Sequence, residues 1–179
     1  MPQRISYTLI LFAVALLFSA CLSGTGGTNT AAAPTPALTA PGPQTSVKFV
    51  KASIAAVEIP AGGSADAIVR LTIQSGYHVN ANPPTFSYLR PTEVLVQTGE
   101  GISVGFITYP NPLSKKFSFA EKPLAVYEGE VTIRVMLKAI PATAKGERSL
   151  PTKLNIQACD DQVCYAPGTL ELSLQVTVK

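Results

Sequence analysis

Apolar and polar residues alternate along several segments of the second half of this chain. Between positions 131 and 139 every second residue is apolar, from Val131 to Ala139. A period of two is the pattern of a half-buried β-strand, and no segment after the first 20 residues shows the 3.6-residue period of a helix. The sequence therefore predicts an all-β fold.

About eight short strands are predicted, separated by turn residues, at 47–59 (one or two strands), 65–73, 93–97, 102–108, 131–139, 153–158 and 170–178. Short strands at regular spacing are typical of a β-sandwich. Two longer stretches, 75–91 and 109–123, each contain three prolines. We expect both to be loops.

Two cysteines, Cys159 and Cys164, lie between the last two predicted strands. A disulfide requires Cα atoms within about 4.4–6.8 Å, whereas an extended chain would separate these two by roughly 16 Å. If they are bridged, the segment must turn back at Asp160–Val163 as a hairpin-like connection. So small a loop stabilises the fold by only about 2 kcal/mol. Most paired cysteines in exported proteins are structural, which keeps an inert disulfide open as an alternative to a redox role.

The first 20 residues have the features of a bacterial signal peptide. Arg4 precedes an uninterrupted apolar run from Leu9 to Phe18, which at ten residues is too short to cross a bilayer of about 30 Å as a helix. The run ends in Leu-Phe-Ser-Ala-Cys, which resembles a lipoprotein box and makes Cys21 the expected lipidation site. The alternatives are ordinary cleavage near Ala20, with Cys21 left as a free thiol, or an uncleaved anchor.

Residues 21–46 are predicted to be the lipidated cysteine and a disordered tether. Positions 23–46 are rich in Gly, Thr, Ala and Pro and carry no charged residue, so they cannot bury a core. As a flexible coil the tether has an end-to-end distance of roughly 27 Å. The folded domain is then expected over residues 47–179.

The composition gives no sign of a nucleic-acid partner, and we expect none. The chain has 46% apolar and 14% charged residues, as a globular protein does. Its net charge of +3 includes Arg4 in the leader, and no basic run is longer than Lys115-Lys116.

Three stretches resemble the N-terminal periplasmic domain of the thiol:disulfide interchange protein DsbD. They are the cysteine motif QACDDQVCYAP at 157–167, the segment GYHVNANPP at 76–84 followed by YLRPT at 88–92, and VYEG at 126–129. The resemblance covers about 47–179 in a consistent order. It implies an immunoglobulin-like β-sandwich in the cell envelope, facing the periplasm or extracytoplasmic space.

The resemblance also implies thiol-disulfide oxidoreductase activity. Cys159 and Cys164 would alternate between dithiol and disulfide and carry electrons to or from thioredoxin-like proteins, with a separate membrane protein as electron donor and no cofactor. By the same resemblance, Cys164 forms the mixed disulfide with a partner and Cys159 resolves it. The alternative is a binding or structural lipoprotein with an inert disulfide. A metal carrier is a third possibility, but two cysteines and one distant histidine leave a zinc site a ligand short.

Aromatic, histidine and charged residues elsewhere in the sequence could also contribute to the cysteine site. In the family an aromatic residue caps the cysteine pair, and Phe117 or Phe119 lies where that cap is expected; otherwise these rings plug one end of the sandwich. The single histidine, His78, is expected to be a local hydrogen-bonding residue and not a catalyst. Asp160 and Asp161 lie between the two cysteines, and their charges should disfavour a thiolate at either one. Lys115 and Lys116 could offset these acids if their loop folds over the site.

Overall fold

The computed structural model describes residues 45–179 of the 179-residue chain. A single turn of 3-10 helix at Ser46–Phe49 leads into twelve strands. In chain order these are β1 (Val50–Ile54), β2 (Val57–Ile59), β3 (Ser64–Ile73), β4 (His78–Asn80), β5 (Glu93–Val96), β6 (Ile102–Thr108), β7 (Leu113–Lys115), β8 (Leu124–Tyr127), β9 (Glu130–Ala139), β10 (Gly146–Ile156), β11 (Ala158–Cys159) and β12 (Gly168–Val178).

Two four-stranded sheets form the sandwich. One has the order β1-β3-β9-β6, and its centre is the antiparallel pair β3 and β9, in register from Ser64 opposite Lys138 to Thr72 opposite Glu130. The other has the order β2-β12-β10-β5, with β2 parallel to β12 and the other pairs antiparallel. The predicted immunoglobulin-like β-sandwich is confirmed.

The core lies between these two sheets and is built by the alternation seen in the sequence. Along β9 the odd-numbered residues from Val131 to Ala139 are buried, while Thr132, Arg134 and Lys138 are exposed. Their partners come from both sheets and include Val69, Leu71, Leu154, Ile156, Leu174 and Val176. Burial of these side chains, at about 1.5–3 kcal/mol each, supplies most of the driving force for folding.

A third, smaller sheet has the order β11-β4-β8-β7, and we call it the site sheet because it ends in Cys159. Its four strands are two to four residues long and were not predicted. Strands β4 and β7 lie inside the two stretches expected to be loops, 75–91 and 109–123. They escaped the sequence pattern because β4 is buried on both faces and β7 is nearly all exposed, so neither alternates.

Strand β10 is longer than predicted, since it begins at Gly146 and not near Lys153. Pro151 lies inside it, where a missing N–H would normally break a ladder. The carbonyl of Pro151 accepts a hydrogen bond from Gln97 N, just beyond the end of β5 at Val96. Carbonyl and N–H of one residue point to the same side of an antiparallel strand. The missing N–H of Pro151 therefore faces Gln97, which lies beyond the end of β5, and no hydrogen bond within the β5 strand is lost.

Candidate functional site

The two cysteines lie at the tip of a hairpin and are joined by a disulfide. Their Cα atoms are 3.9 Å apart, and the two residues form an antiparallel bridge. Asp160 N donates to Val163 O at 2.9 Å, and Tyr165 N donates to Ala158 O at 2.8 Å. The predicted reversal of the chain at Asp160–Val163 is confirmed.

The carboxylate of Asp160 organises this tip. Its Oδ1 accepts hydrogen bonds from the backbone N–H groups of Gln162 and Val163, both at 2.8 Å, and its Oδ2 accepts one from the Tyr165 hydroxyl at 2.6 Å. The hydrogen bond from Tyr165 is the main reason why the pKa of Asp160 is lowered. Asp160 is thus held as a carboxylate beside Cys159, where its charge disfavours a thiolate.

The two cysteines differ in their exposure to solvent. Cys159 is fully buried, with 0% of its surface exposed, whereas Cys164 is partly exposed. Val163, next to Cys164, is 51% exposed. Access to the attacked sulfur is one determinant of the exchange rate, and Cys164 is the more exposed cysteine of the pair.

Cys159 is held by the site sheet, in which it pairs directly with His78 on β4. Directly opposite residues of an antiparallel pair place their side chains on the same face, with Cβ atoms about 4.5–5.5 Å apart. The neighbouring pair, Ala158 and Val79, belongs to the main core. Because successive side chains alternate, Cys159 and His78 lie on the opposite face of the site sheet, which we call its outer face.

Phe117 covers part of this outer face. Its ring stacks on the ring of His78 with 4.1 Å between centroids, and only 2% of the residue is exposed. It packs with Leu124 and Val126 in a small apolar cluster separate from the sandwich core. Phe119 stacks on the outside of Phe117, with centroids 5.3 Å apart, and is 41% exposed. Of the two predicted rings, Phe117 is therefore the inner one.

The loop that carries Phe117 is tied to the hairpin tip. Ser118 Oγ donates to the carbonyl of Asp161 at 3.1 Å. Lys115 Nζ lies 3.7 Å from a carboxylate oxygen of Asp161 and 2.6 Å from Glu128 Oε1. The loop thus folds over the cysteine hairpin and brings one cation, Lys115, toward the acids.

Lys116 does not take part in offsetting the acids. Its Nζ donates to the carbonyls of Ala120 and Glu121 within its own loop. The sequence had left both lysines open as partners of Asp160 and Asp161, and the structure selects Lys115.

The motif GYHVNAN fastens the strand before Cys159 to the rest of the domain. Asn80 Nδ2 donates to the carbonyl of Arg90 at 3.1 Å and to Gln157 Oε1 at 3.0 Å, and Gln157 Oε1 also accepts from Arg90 N at 3.0 Å. Asn82 Nδ2 donates to the Thr92 carbonyl at 3.0 Å. These bonds fix the segment 76–92 against Gln157, two residues before Cys159.

The base of the hairpin is closed by Ser46. Its Oγ donates to the carbonyl of Ala166 at 2.7 Å and accepts from Ala158 N at 2.8 Å, so it joins the two arms of the hairpin. The composition had placed Ser46 at the end of the predicted tether, but the structure shows it fully buried in the folded domain. A Cβ at Gly168 nearby would lie 2.7 Å from Val47 Cγ1, so a larger residue there would require the Val47 side chain to shift. Sequence reasoning missed Ser46, since a lone serine gives no signal.

His78 does not make the local hydrogen bonds that were expected of it. The residue is fully buried, and neither ring nitrogen has a hydrogen-bond partner within residues 45–179. Its Nδ1 lies 4.0 Å from Glu128 Oε1. Burial, followed by the nearby Lys115 ammonium, lowers the pKa of His78, so the ring is neutral at pH 7.

Three further points concern lipidation, metal binding and membrane-spanning helices. Cys21, the predicted lipidation site, lies outside the described residues. In the described range, no three His, Cys, Asp or Glu side chains converge as metal ligands. No helix among the residues described is long and apolar enough to cross a membrane.

The model of the family described as "Thiol:disulfide interchange protein DsbD, N-terminal" matches residues 46–175. The chain belongs to this family. The DsbD N-terminal family is one of thiol-disulfide interchange, and the chain carries the disulfide-forming cysteine pair that such chemistry requires. A search of curated proteins gave no match.

Solved structures similar to this DsbD N-terminal-like domain include the reduced N-terminal domain of DsbD from Neisseria meningitidis, with 20% identity and a TM-score of 0.47 over 72% of this chain and 86% of that one. The N-terminal periplasmic domain of ScsB from Proteus mirabilis has 15% identity and a TM-score of 0.49, over 72% of this chain and 46% of that one. A cohesin from Pseudobacteroides cellulosolvens has 13% identity and a TM-score of 0.46, over 73% and 92%.

Proposed function

We propose that this protein is an extracytoplasmic electron relay that exchanges its Cys159–Cys164 disulfide with thioredoxin-like proteins. Membership of the DsbD N-terminal family supports the chemistry. The observation that carries the assignment of roles is the unequal exposure of the two cysteines, one buried and one partly exposed, at the tip of a hairpin.

In this relay Cys164 is the sulfur that bonds to the partner. In the reduced protein it attacks the partner's disulfide and forms a mixed disulfide; Cys159, held in place by its pairing with β4, then attacks Cys164 and releases the reduced partner. Reduction of the protein by an electron donor follows the same path in reverse. A donor thiolate meets Cys164 first, because Cys159 is buried.

Two further parts of the proposal complete the relay. Phe117 is the ring that shields the pair: it packs on His78, the cross-strand neighbour of Cys159. Cys21 is the lipid attachment site, and a separate membrane protein supplies the electrons. The lipoprotein box supports the anchor, and the family supports the donor.

The test is to trap the mixed disulfide. Cys159→Ser and Cys164→Ser variants are each expressed in cells, exchange is quenched with acid and N-ethylmaleimide, and complexes are identified on non-reducing gels and by mass spectrometry. Cys159→Ser should accumulate an adduct with a thioredoxin-like protein, because nothing resolves it, and Cys164→Ser should not. The bridge contributes only about 2 kcal/mol by loop entropy, so both variants should stay folded.

A urea titration of each variant is the control for folding. Folded variants that trap no thioredoxin-like protein through either cysteine would leave an inert disulfide as the better account. Trapping through Cys159 in place of Cys164 would reverse the assigned roles.

A further inference from the structure

A buried imidazole beside a reacting sulfur calls for an explanation. Buried polar side-chain atoms nearly always have a hydrogen-bond partner, and leaving one unpaired is unfavourable. Both ring nitrogens of His78 lack such a partner in the described chain, although the ring is packed against Phe117 and fully buried. An apolar side chain at this position would leave no polar atom buried without a partner. The imidazole therefore has a use that packing does not explain.

The place of the ring suggests what this use is. His78 is the direct cross-strand partner of Cys159, so the two side chains share the outer face of the site sheet. Cys159 must lose a proton before it can attack, because the thiolate and not the thiol is the nucleophile. Water has no direct access to this sulfur, since Cys159 is fully buried. Among the bases near that face, His78 is the one that pairs directly with Cys159 across the strands.

The geometry points to His78 as the proton acceptor that activates Cys159 when the mixed disulfide is resolved. This inference rests on the proposed relay for its partner and extends it by a further catalytic residue. The thiol proton of Cys159 moves to a ring nitrogen of His78. The Cys159 thiolate forms a bond to Cys164 Sγ, and the bond from Cys164 to the partner's sulfur breaks. The partner leaves as a thiolate, so the dithiol is oxidised and the partner's disulfide, the oxidant, is reduced.

The charges around His78 suit this role. Glu128 Oε1, 4.0 Å from Nδ1, favours the imidazolium that forms, as do Asp160 and Asp161 at the hairpin tip. Lys115 opposes it and, with burial, keeps the ring neutral beforehand. A neutral ring is the state that can accept a proton. Glu128 is one-third exposed, so the proton has a route from the buried ring to solvent.

A test without any natural partner uses 5,5′-dithiobis(2-nitrobenzoate) as the oxidant. Reduced protein should release one thionitrobenzoate in a step that depends on reagent concentration, as Cys164 reacts, and a second in a first-order step, as Cys159 closes the disulfide. Cys159→Ser protein, which stops after the first release, isolates the first step. Both releases are followed by absorbance at 412 nm.

Replacing His78 with Phe should slow the second step about 100-fold at pH 7, the usual scale of general base catalysis, and leave the first step within about threefold. The pH profile should change as well. In the wild type the second step should be nearly flat from pH 7 to 8, because the acceptor is already neutral. In His78→Phe it should rise about tenfold per pH unit, as hydroxide must remove the proton, and approach the wild-type rate near pH 9.

Two further variants test the proposal independently of His78→Phe. His78→Gln keeps hydrogen-bonding groups but cannot accept a proton, and it replaces His78→Phe if that protein does not fold. Glu128→Gln should slow the second step in the same direction by a smaller factor. A second step within about threefold of wild type at pH 7, with an unchanged pH profile in the His78 variants, overturns the proposal. Because the assay contains no thioredoxin-like protein, this outcome is independent of whether the partner trap succeeds.

Discussion

Replacing Phe117 with Ala should expose the disulfide to small reductants. Phe117 is 2% exposed and stacks on His78, while Phe119 lies outside it and is 41% exposed. If Phe117 is the shield, a reductant reaches the cysteine pair only after this ring leaves its site. Phe119→Ala is then a matched control, because it removes the same atoms from the same loop without uncovering the outer face of the site sheet.

The size of the effect follows from the burial of the ring. Moving a fully buried phenylalanine into water costs about 1.5–3 kcal/mol. If opening of the loop costs at least this much, the closed loop slows reduction by about 10- to 150-fold, since each 1.36 kcal/mol is a factor of ten in rate. Phe117→Ala should therefore be reduced by dithiothreitol about 10- to 150-fold faster than wild type, and Phe119→Ala less than about threefold faster.

The assay is the pseudo-first-order rate of disulfide loss in dithiothreitol, followed by alkylation and mass spectrometry at pH 8. Phe117→Ala also destabilises the domain, so Leu150→Ala serves as a second control. Leu150 is a buried core residue on β10, six positions before the end of that strand nearest the hairpin, a distance of about 20 Å. If Leu150→Ala accelerates reduction as much as Phe117→Ala does, or if neither changes the rate, the shielding role is refuted.

Three further predictions concern the anchor, the hairpin base and its tip. Cys21→Ser should move the protein from the membrane fraction to the soluble fraction on cell fractionation; unchanged membrane association would contradict lipidation. Ser46→Ala should lower the free energy of unfolding in urea by about 1–3 kcal/mol, because it leaves Ala158 N–H buried without a partner. Asp160→Asn should be less stable than wild type at pH 7, and this difference should shrink below pH 4. The pKa of Asp160 is lowered in the folded protein, so the carboxylate stabilises the fold above the unfolded pKa of about 3.9. That stabilisation is lost as the pH falls through the folded pKa. An equal difference at pH 7 and pH 3 would contradict that linkage.

The long strands were predictable because each has one buried and one exposed face. The alternation along 131–139 identified β9, and the alternation along 170–178 identified most of β12. The reversal at Asp160–Val163 followed from the reach of a chain between two bridged cysteines. These inferences depend on local sequence and on covalent geometry alone.

The site sheet was not predictable, because its strands have no local signature. His78, Val79 and Asn80 are all buried, and only pairing with β8 and β11 makes this segment a strand. The pairing of Cys159 with His78 joins residues 81 positions apart, so neither neighbour indicates the other. The family motif identified both segments as related to the site without showing that they touch.

The start of the described chain lies beside the disulfide, and this sets where the exchanging sulfurs can be. Thr45 pairs with Ala166, two residues after Cys164, and Ser46 bonds across the hairpin base. The proposed lipid-anchored tether is attached at this end and spans roughly 27 Å, so it would keep the disulfide in a thin layer above the bilayer. Because the disulfide would stay close to the membrane, it would meet a membrane-bound electron donor often without binding it tightly. The donor would then need only a weak, readily reversible docking surface.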